Sequence, residues 1–448
     1  MKVFFASLGC DKNLVDSEVM LSLLAREGFE ITDDETDAEI AVVNTCSFIL
    51  DAKQESINTI LELSDLKESK DGKLKVLIVC GCLAERYADE LLEEIPSIDA
   101  VLGTMAIPEI IEAVKKALGG EKVLVFPSID RELPEFAGRM VTTGGHYAYL
   151  KIAEGCDKHC TYCAIPSMRG KYRSYPIEHL VKESEFLVRE VGAKELILVA
   201  QETTLYGVDL YGEKSLGRLL KELCKIEELK WVRILYCYPE EITEELIDVI
   251  ASEPKVLHYL DVPIQHASDA ILKRMGRRTS KAELKEKIAM MRRELPDICL
   301  RTTLISGFPG ETEEDFEIVK EFIKEMRFDR LGVFAYSQEE GTPAAEMPNQ
   351  IPEEIKEARK EELMLIQQEI AFEKADERIG EELEVLVEGS IPEDDVFVGR
   401  TYLDAPEVDG FVFFESDREL MSGDMVRVRI TDCNEYDLIG EMCDEFTE

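Results

Sequence analysis

No apolar run in these 448 residues approaches the ~18 needed to cross a bilayer, so no membrane span is expected. No internal repeat or low-complexity tract interrupts the chain. The opening stretch from Met1 to Cys10 has an apolar core far too short for an export or lipoprotein signal, and a strand is expected there. Twelve cysteines in a long chain of this kind fit a reducing cytoplasm better than a disulfide framework. Bases are scarce: 52 lysines and arginines face 94 aspartates and glutamates, a formal charge of −42. Bulk binding of nucleic acid would work against that field. The imbalance is steepest from Gly380 to Glu448, with 21 acids and 4 bases. That segment is either a soluble, generally acidic surface or a face for a basic partner.

What is present starts with Gly155-Cys156-Asp157-Lys158-His159-Cys160-Thr161-Tyr162-Cys163. Three thiolates spaced C-x3-C-x2-C on one short loop can hold three irons of a 4Fe–4S cube. The fourth iron is then open to a small molecule. Zinc knuckles pair two C-x2-C halves, and a second half is missing here. A redox C-x-x-C would have no use for Cys156.

The hydrophobic pattern divides the chain. In residues 1–122 short apolar strands (Val3–Ala6, Ile40–Asn44, Val76–Val79, Ala100–Leu102) alternate with amphipathic helices. That rhythm predicts a doubly wound parallel α/β domain. Cys10, Cys46 and Cys82 each follow one of three successive strands, where such a sheet forms its ligand crevice. A buried cysteine is ordinarily a small hydrophobe, but one at each of three strand ends favours a second three-thiolate site. Cys80 belongs to the strand and is expected to pack inward. Residues 123–143 read as a linker. Six βα units over residues 144–350 predict a partial (βα)6, TIM-like barrel with its chemistry at the strand C-termini. Residues 351–379 predict one long bridging helix. In residues 380–448 five short alternating segments predict a small antiparallel β-barrel. The overall class is α/β.

Over nearly its whole length the chain resembles the radical-SAM methylthiotransferases, which join an N-terminal cluster domain, a radical-SAM barrel and a C-terminal TRAM barrel. Beyond the cluster loops, the resemblance lies in Ser7–Glu18, Val43–Ile49, Val199–Gly207 and Tyr259–Asp269. These stretches are similar to the branch that methylthiolates an aspartate of the small-subunit ribosomal protein twelve. The resemblance implies two 4Fe–4S clusters and S-adenosylmethionine (SAM). Cys156, Cys160 and Cys163, with the aromatic Tyr162, would hold the cube that reduces SAM to a radical species able to remove hydrogen from an unactivated carbon. Cys10, Cys46 and Cys82 would hold a second cube that presents the sulfur to be methylated and transferred. The implied partners are a basic ribosomal protein, free or in the ribosome, docked on the acidic barrel, and an electron donor such as flavodoxin or ferredoxin. Nucleic acid would not be the primary substrate.

SAM must be oriented by groups at neighbouring strand ends. Arg301 suits its carboxylate, Gln201 or Glu202 its ribose hydroxyls, and the turn from Gly307 to Gly310 its adenine. Each has a plainer reading as a salt bridge, a helix cap or a simple turn. His266 and Asp261 are candidates for substrate contact, against the commoner role of a satisfied structural side chain. Two other functions compete. A transfer-RNA adenosine methylthiotransferase of the same superfamily would need a basic, aromatic barrel. A two-cluster electron carrier would leave two open irons and a 200-residue barrel without a purpose.

Overall fold

The computed structural model describes residues 1–70, 72–136, 138–391 and 396–443. Its first sheet contains β1 (Lys2–Ser7), β2 (Glu30–Thr32), β3 (Ile40–Thr45), β4 (Val76–Gly81), β5 (Ala100–Leu102) and β6 (Val123–Val125). The order is β2-β1-β3-β4-β5-β6, and all pairs are parallel. β3 and β4 are buried along their whole length, as central strands covered on both faces must be. Two apolar clusters fill those faces, one around Val42 and Ile78 and the other around Val43 and Val79. The strand order reverses between β1 and β3, so this edge of the sheet opens the ligand crevice. β2 and β6 escape the sequence pattern because each is only three residues long and partly exposed.

The second unit contains β7 (Tyr147–Lys151), the short pair β8 (Ala153–Glu154) and β9 (Arg173–Ser174), then β10 (Glu195–Val199), β11 (Trp231–Ile234), β12 (Val256–Asp261), β13 (Cys299–Ser306) and β14 (Arg330–Ala335). Six of these form an open parallel sheet in the order β14-β13-β12-β11-β10-β7. Alternation along each strand separates its faces. Leu150, Leu198, Ile234 and Leu260 pack against the outer helices, while Tyr149, Ile197, Trp231, Tyr259 and Cys299 face the other way. The helix Glu353–Asp376 lies along β14, with Leu363 and Ile370 in the outer core and the Gln367 amide donating to Phe328 O at 2.9 Å. It thereby covers an edge that would otherwise invite strand pairing.

β15 (Glu382–Ser390), β16 (Val396–Arg400), β17 (Val412–Glu415), β18 (Met425–Cys433) and β19 (Leu438–Met442) close into a barrel. It is not wholly antiparallel: β19 folds back from β18 and inserts beside β17 in parallel register. Closure through that one parallel pair leaves no free edge.

The barrel is also not a detached appendage. Val385, Val387, Leu403, Val412, Phe414 and Val428 share one core with the inner face of the second sheet. Within that apolar seam Glu195 accepts from Arg233 Nε at 2.6 Å and forms an ion pair with Arg400 Nη2 at 2.9 Å, and all three side chains are fully buried. Breaking one member of a buried charge group costs about 3–5 kcal/mol, because the remaining ions lose their counter-charge. Glu195→Ala is therefore expected to destabilise the full chain by that amount in denaturant unfolding. Glu185→Ala, which removes an exposed i,i+4 partner of Arg189, should cost less than about 1 kcal/mol.

Candidate metal centres and cofactor-binding strand ends

The three N-terminal cysteines emerge where β1, β3 and β4 end. Gly9 sits at φ +88, and a Cβ there would lie 2.7 Å from Cys46 Cβ. Only glycine lets the Cys10 loop pass this close to Cys46. Asn13 then ties the loops together. Its amide donates to Leu8 O and Thr45 O, both at 3.0 Å, while Asn44 Nδ2 donates to Asn13 O at 2.9 Å. Cys46 is braced by Ser56, whose Oγ accepts from Cys46 N at 3.0 Å. Burial raises the Cys46 thiol to about 12, with Cys10 and Cys82 adding to the effect, and burial raises Cys82 as well. Buried thiols such as Cys46 and Cys82 resist ionisation alone and are suited to a cation that takes them as thiolates. Cys80 packs inward, as its place in the strand implies.

The second thiol group follows β8. Cys156 N donates to Gly170 O at 3.1 Å, and Lys158 N reaches Cys156 Sγ at 3.4 Å. The Cys160 thiol lies 2.9 Å from Tyr238 Oη, and the guanidinium of Arg277 stacks on that ring. Burial raises Cys156 to about 11 and Cys163 to about 12. Tyr162 packs against Phe308 in a T-shaped contact, and Cys160 acts on its hydroxyl from the thiol side. Among the described residues no three His, Cys, Asp or Glu side chains close on one point as they would around a single metal ion.

Between the two thiol groups lies a buried ion network that the sequence pattern did not single out. Arg169 donates from Nε to Cys82 Sγ at 3.4 Å, from Nη1 to Asp16 at 2.8 Å and Glu154 at 3.2 Å, and from Nη2 to Asn13 Oδ1. Lys151 pairs with Asp16 and, at 2.9 Å, with Glu154. Burial would raise the Glu154 carboxyl, but Lys151 and Arg169 outweigh it and hold it at about 2. A second tie joins the units nearby, where Glu339 accepts from Lys53 and Arg86, each at 2.8 Å. The only signal in the sequence was position: Lys151, Glu154 and Arg169 flank the cysteine loop, and Asn13 and Asp16 follow Cys10.

The proposed SAM contacts separate into two groups. Gln201 and Glu202 stand together at the end of β10. Gln201 Nε2 donates to Glu154 at 2.9 Å, whereas its Oε1 and Glu202 Oε2 are buried without a partner. Unpaired buried acceptors are costly, and ribose hydroxyls are the kind of donor that would satisfy them. Arg301, by contrast, already holds two carboxylates: Asp261 at 3.0 Å and Asp409, from the barrel, at 3.4 Å. Asp261 also accepts from Tyr236 N at 3.1 Å, and Tyr236 is held at φ 60 with Lys12 over its ring. The turn from Gly307 to Gly310 is pinned from below by Glu311, which accepts from Gly307 N at 2.9 Å and Phe308 N at 3.2 Å. His266 lies behind that turn, 1 % exposed. Its Nδ1 accepts from Ser268 N at 2.9 Å and its Nε2 stands 3.4 Å from Glu311.

Three family descriptions match in series: the Uncharacterized protein family UPF0004 over residues 2–103, the Radical SAM superfamily over 150–323 and the TRAM domain over 379–443. The chain is 61% identical to the ribosomal protein uS12 methylthiotransferase RimO of Lachnoclostridium phytofermentans, over 98% of this chain and 99% of that one. It is 49% identical to the RimO of Clostridioides difficile over 99% of both. The chain belongs to the RimO family of radical-SAM methylthiotransferases. It is therefore an enzyme, a transferase. Solved structures share the fold at low identity. The radical SAM methyltransferase TsrM of Kitasatospora setae, 14% identical, superposes with a TM-score of 0.53 over 87% of this chain and 79% of that one. For OxsB, a cobalamin-dependent radical SAM enzyme also 14% identical, the TM-score is 0.52 over 82% of this chain and 56% of that one.

For this RimO-family chain Glu202 gives a pH signature. Burial lifts its carboxyl from 4.5 to about 7. A carboxyl that is harder to ionise when folded leaves stability intact below its unfolded pKa and removes it as pH rises through the folded one. Cluster-free protein should thus lose up to roughly 3 kcal/mol between pH 4.5 and 7 from this group. Glu202→Gln should flatten that part of the stability–pH curve in denaturant titrations.

Proposed function

We propose that this enzyme adds a methylthio group to the β-carbon of an aspartate in ribosomal protein uS12. Cys10, Cys46 and Cys82 would hold one 4Fe–4S cluster, and Cys156, Cys160 and Cys163 a second that binds SAM. The observation that carries this reading is the convergence of two groups of three cysteines, one on three strand-end loops and one on a single loop, on either side of one ion network, in a chain 61% identical to a protein named a ribosomal protein uS12 methylthiotransferase. When bound, the clusters and SAM supply the radical chemistry and the methylthio group.

The chain's own residues define where that happens. Gln201 and Glu202 offer acceptors at the end of β10 on the side of the second thiol loop. Arg301 and Asp261 form a charged pair deeper on the inner face, near Tyr236, and would receive the polar end of the aspartate or of SAM. The barrel and the N-terminal unit cover that face from both ends and keep water away from it. Tyr162, through its contact with Phe308, supports the Gly307–Gly310 turn where adenine would lie.

The acidic barrel is the proposed docking face for the basic substrate protein, since potentials of one sign steer an opposite partner and fade with salt. Its arginines do not form an RNA-binding stripe: Arg400 is buried against Glu195 and Glu388, and Arg429 pairs with Glu382. An electron donor such as flavodoxin or ferredoxin is required by the chemistry. Among the described residues no helix is long and apolar enough to cross a membrane, and we place the enzyme with the ribosome in the cytoplasm.

Two measurements test the reading. Intact mass of uS12 from cells with and without this gene should differ by one methylthio group; an identical mass would remove uS12 as the substrate. In anaerobically reconstituted protein, replacing Cys156, Cys160 and Cys163 by Ala should leave about half the iron and abolish SAM cleavage. Replacing Cys10, Cys46 and Cys82 should spare SAM cleavage yet stop methylthio transfer.

A further inference from the structure

Arg169 belongs to the radical-SAM unit, yet it reaches across the boundary to a thiol of the other unit. It ends the short helix Ile165–Arg169, six residues after Cys163, and is 3 % exposed. Its guanidinium is fully committed: Nε to Cys82, Nη1 to Asp16 and Glu154, and Nη2 to Asn13. Three of those four partners are fixed by other contacts. Asn13 is locked by Leu8 O and Thr45 O, Glu154 by Lys151 and Gln201, and Asp16 by Lys151. The fork can therefore be satisfied in only one orientation, the one that aims Nε at Cys82.

We propose that Arg169 is a positioning residue for the cluster of the opposite unit, donating a charge-assisted hydrogen bond to the Cys82 thiolate and raising that cluster's reduction potential. The inference rests on the assignment of Cys10, Cys46 and Cys82 as a cluster site. Reduction adds negative charge to a cluster and its thiolates, so a fixed cation and an N–H donor favour the reduced state. Burial makes the effect large, because little water screens it. The network as a whole is neutral, with Arg169 and Lys151 against Asp16 and Glu154. Removing Arg169 would therefore delete a donor and leave an uncompensated carboxylate near Cys82 as well. The potential would also depend on docking: a separated N-terminal unit would lack this donor and be harder to reduce.

The test uses the full chain with Cys156, Cys160 and Cys163 replaced by Ala, so that one cluster remains. Potentiometric titration followed by electron paramagnetic resonance gives its midpoint. Arg169→Gln should lower the reduced-to-oxidised ratio at fixed potential about tenfold, which for a one-electron couple is about 59 mV toward negative values. Arg169→Lys, which keeps the charge without the fork, should fall between. The exposed Arg189→Gln should leave the midpoint unchanged. An unshifted midpoint in Arg169→Gln at full iron content would overturn the proposal. If neither Arg169 variant retained iron while Arg189→Gln did, Arg169 would serve only to hold the fold, and the proposal would again fail. A parent without any iron would sink the cluster assignment itself and the proposal with it.

Discussion

The arrangement of this enzyme depends on one buried group of charges: Asp16 from the first helix, Lys151 and Glu154 beside the cysteine loop, and Arg169 just after it. Each of these ions is costly to desolvate alone. Lys151 and Arg169 share the single carboxylate of Glu154 within the radical-SAM unit, and Asp16 supplies the balancing charge only when the N-terminal unit sits there in one register. Such a network adds little net stability compared with an apolar seam of the same size. What it adds is discrimination, since a shift of a few ångströms would part Asp16 from Lys151 and Arg169 and leave a buried cation without its counter-charge. The loops carrying Cys82 and Cys156 are thus held to a fixed relation by electrostatics that admit no near miss.

The cysteine pattern was legible because it needs no knowledge of neighbours. Spacing alone placed Cys156, Cys160 and Cys163 on one loop, and the βα rhythm alone placed Cys10, Cys46 and Cys82 at adjoining strand ends. The ion network was not legible for the opposite reason. On the helix Asp11–Arg26 the polar residues Lys12, Asn13, Asp16, Ser17 and Glu18 are buried, although polar helix faces ordinarily meet solvent. Asn13 and Ser17 are taken up by the strand-end loops of their own sheet, and Lys12, Asp16 and Glu18 by residues that follow it. The same limit applies to Arg301. Its place on a strand pointing toward the SAM region could be read from the sequence, but Asp409, more than a hundred residues later, lies beside it only because the barrel closes on the sheet. The parallel pairing of β17 and β19 depends likewise on how the last hairpin folds back, which alternation along a strand does not encode.

His266 meets the glycine turn through Glu311. The Gly307–Gly310 backbone receives its shape from Glu311, and Glu311 is in turn held by Arg359 of the long helix at 2.7 Å and faced by His266. A side chain in that chain of contacts bears on the shape of the turn through its neighbour. Gln201 stands in a comparable relation to the ion network, since one end of its amide binds Glu154 while the other is left open at the strand end.

The core shared by the barrel and the sheet has a consequence for inheritance. A domain joined by a flexible tether can be exchanged between relatives as a cassette. This barrel cannot, because Phe414 and Val428 share one core with Trp231 and Tyr259, and Arg400 answers a glutamate that lies on β10. A change of volume or charge on either side must be met by a compensating change on the other. The barrel and the sheet should therefore drift together between lineages, recording a common history even though each has the outline of an independent module.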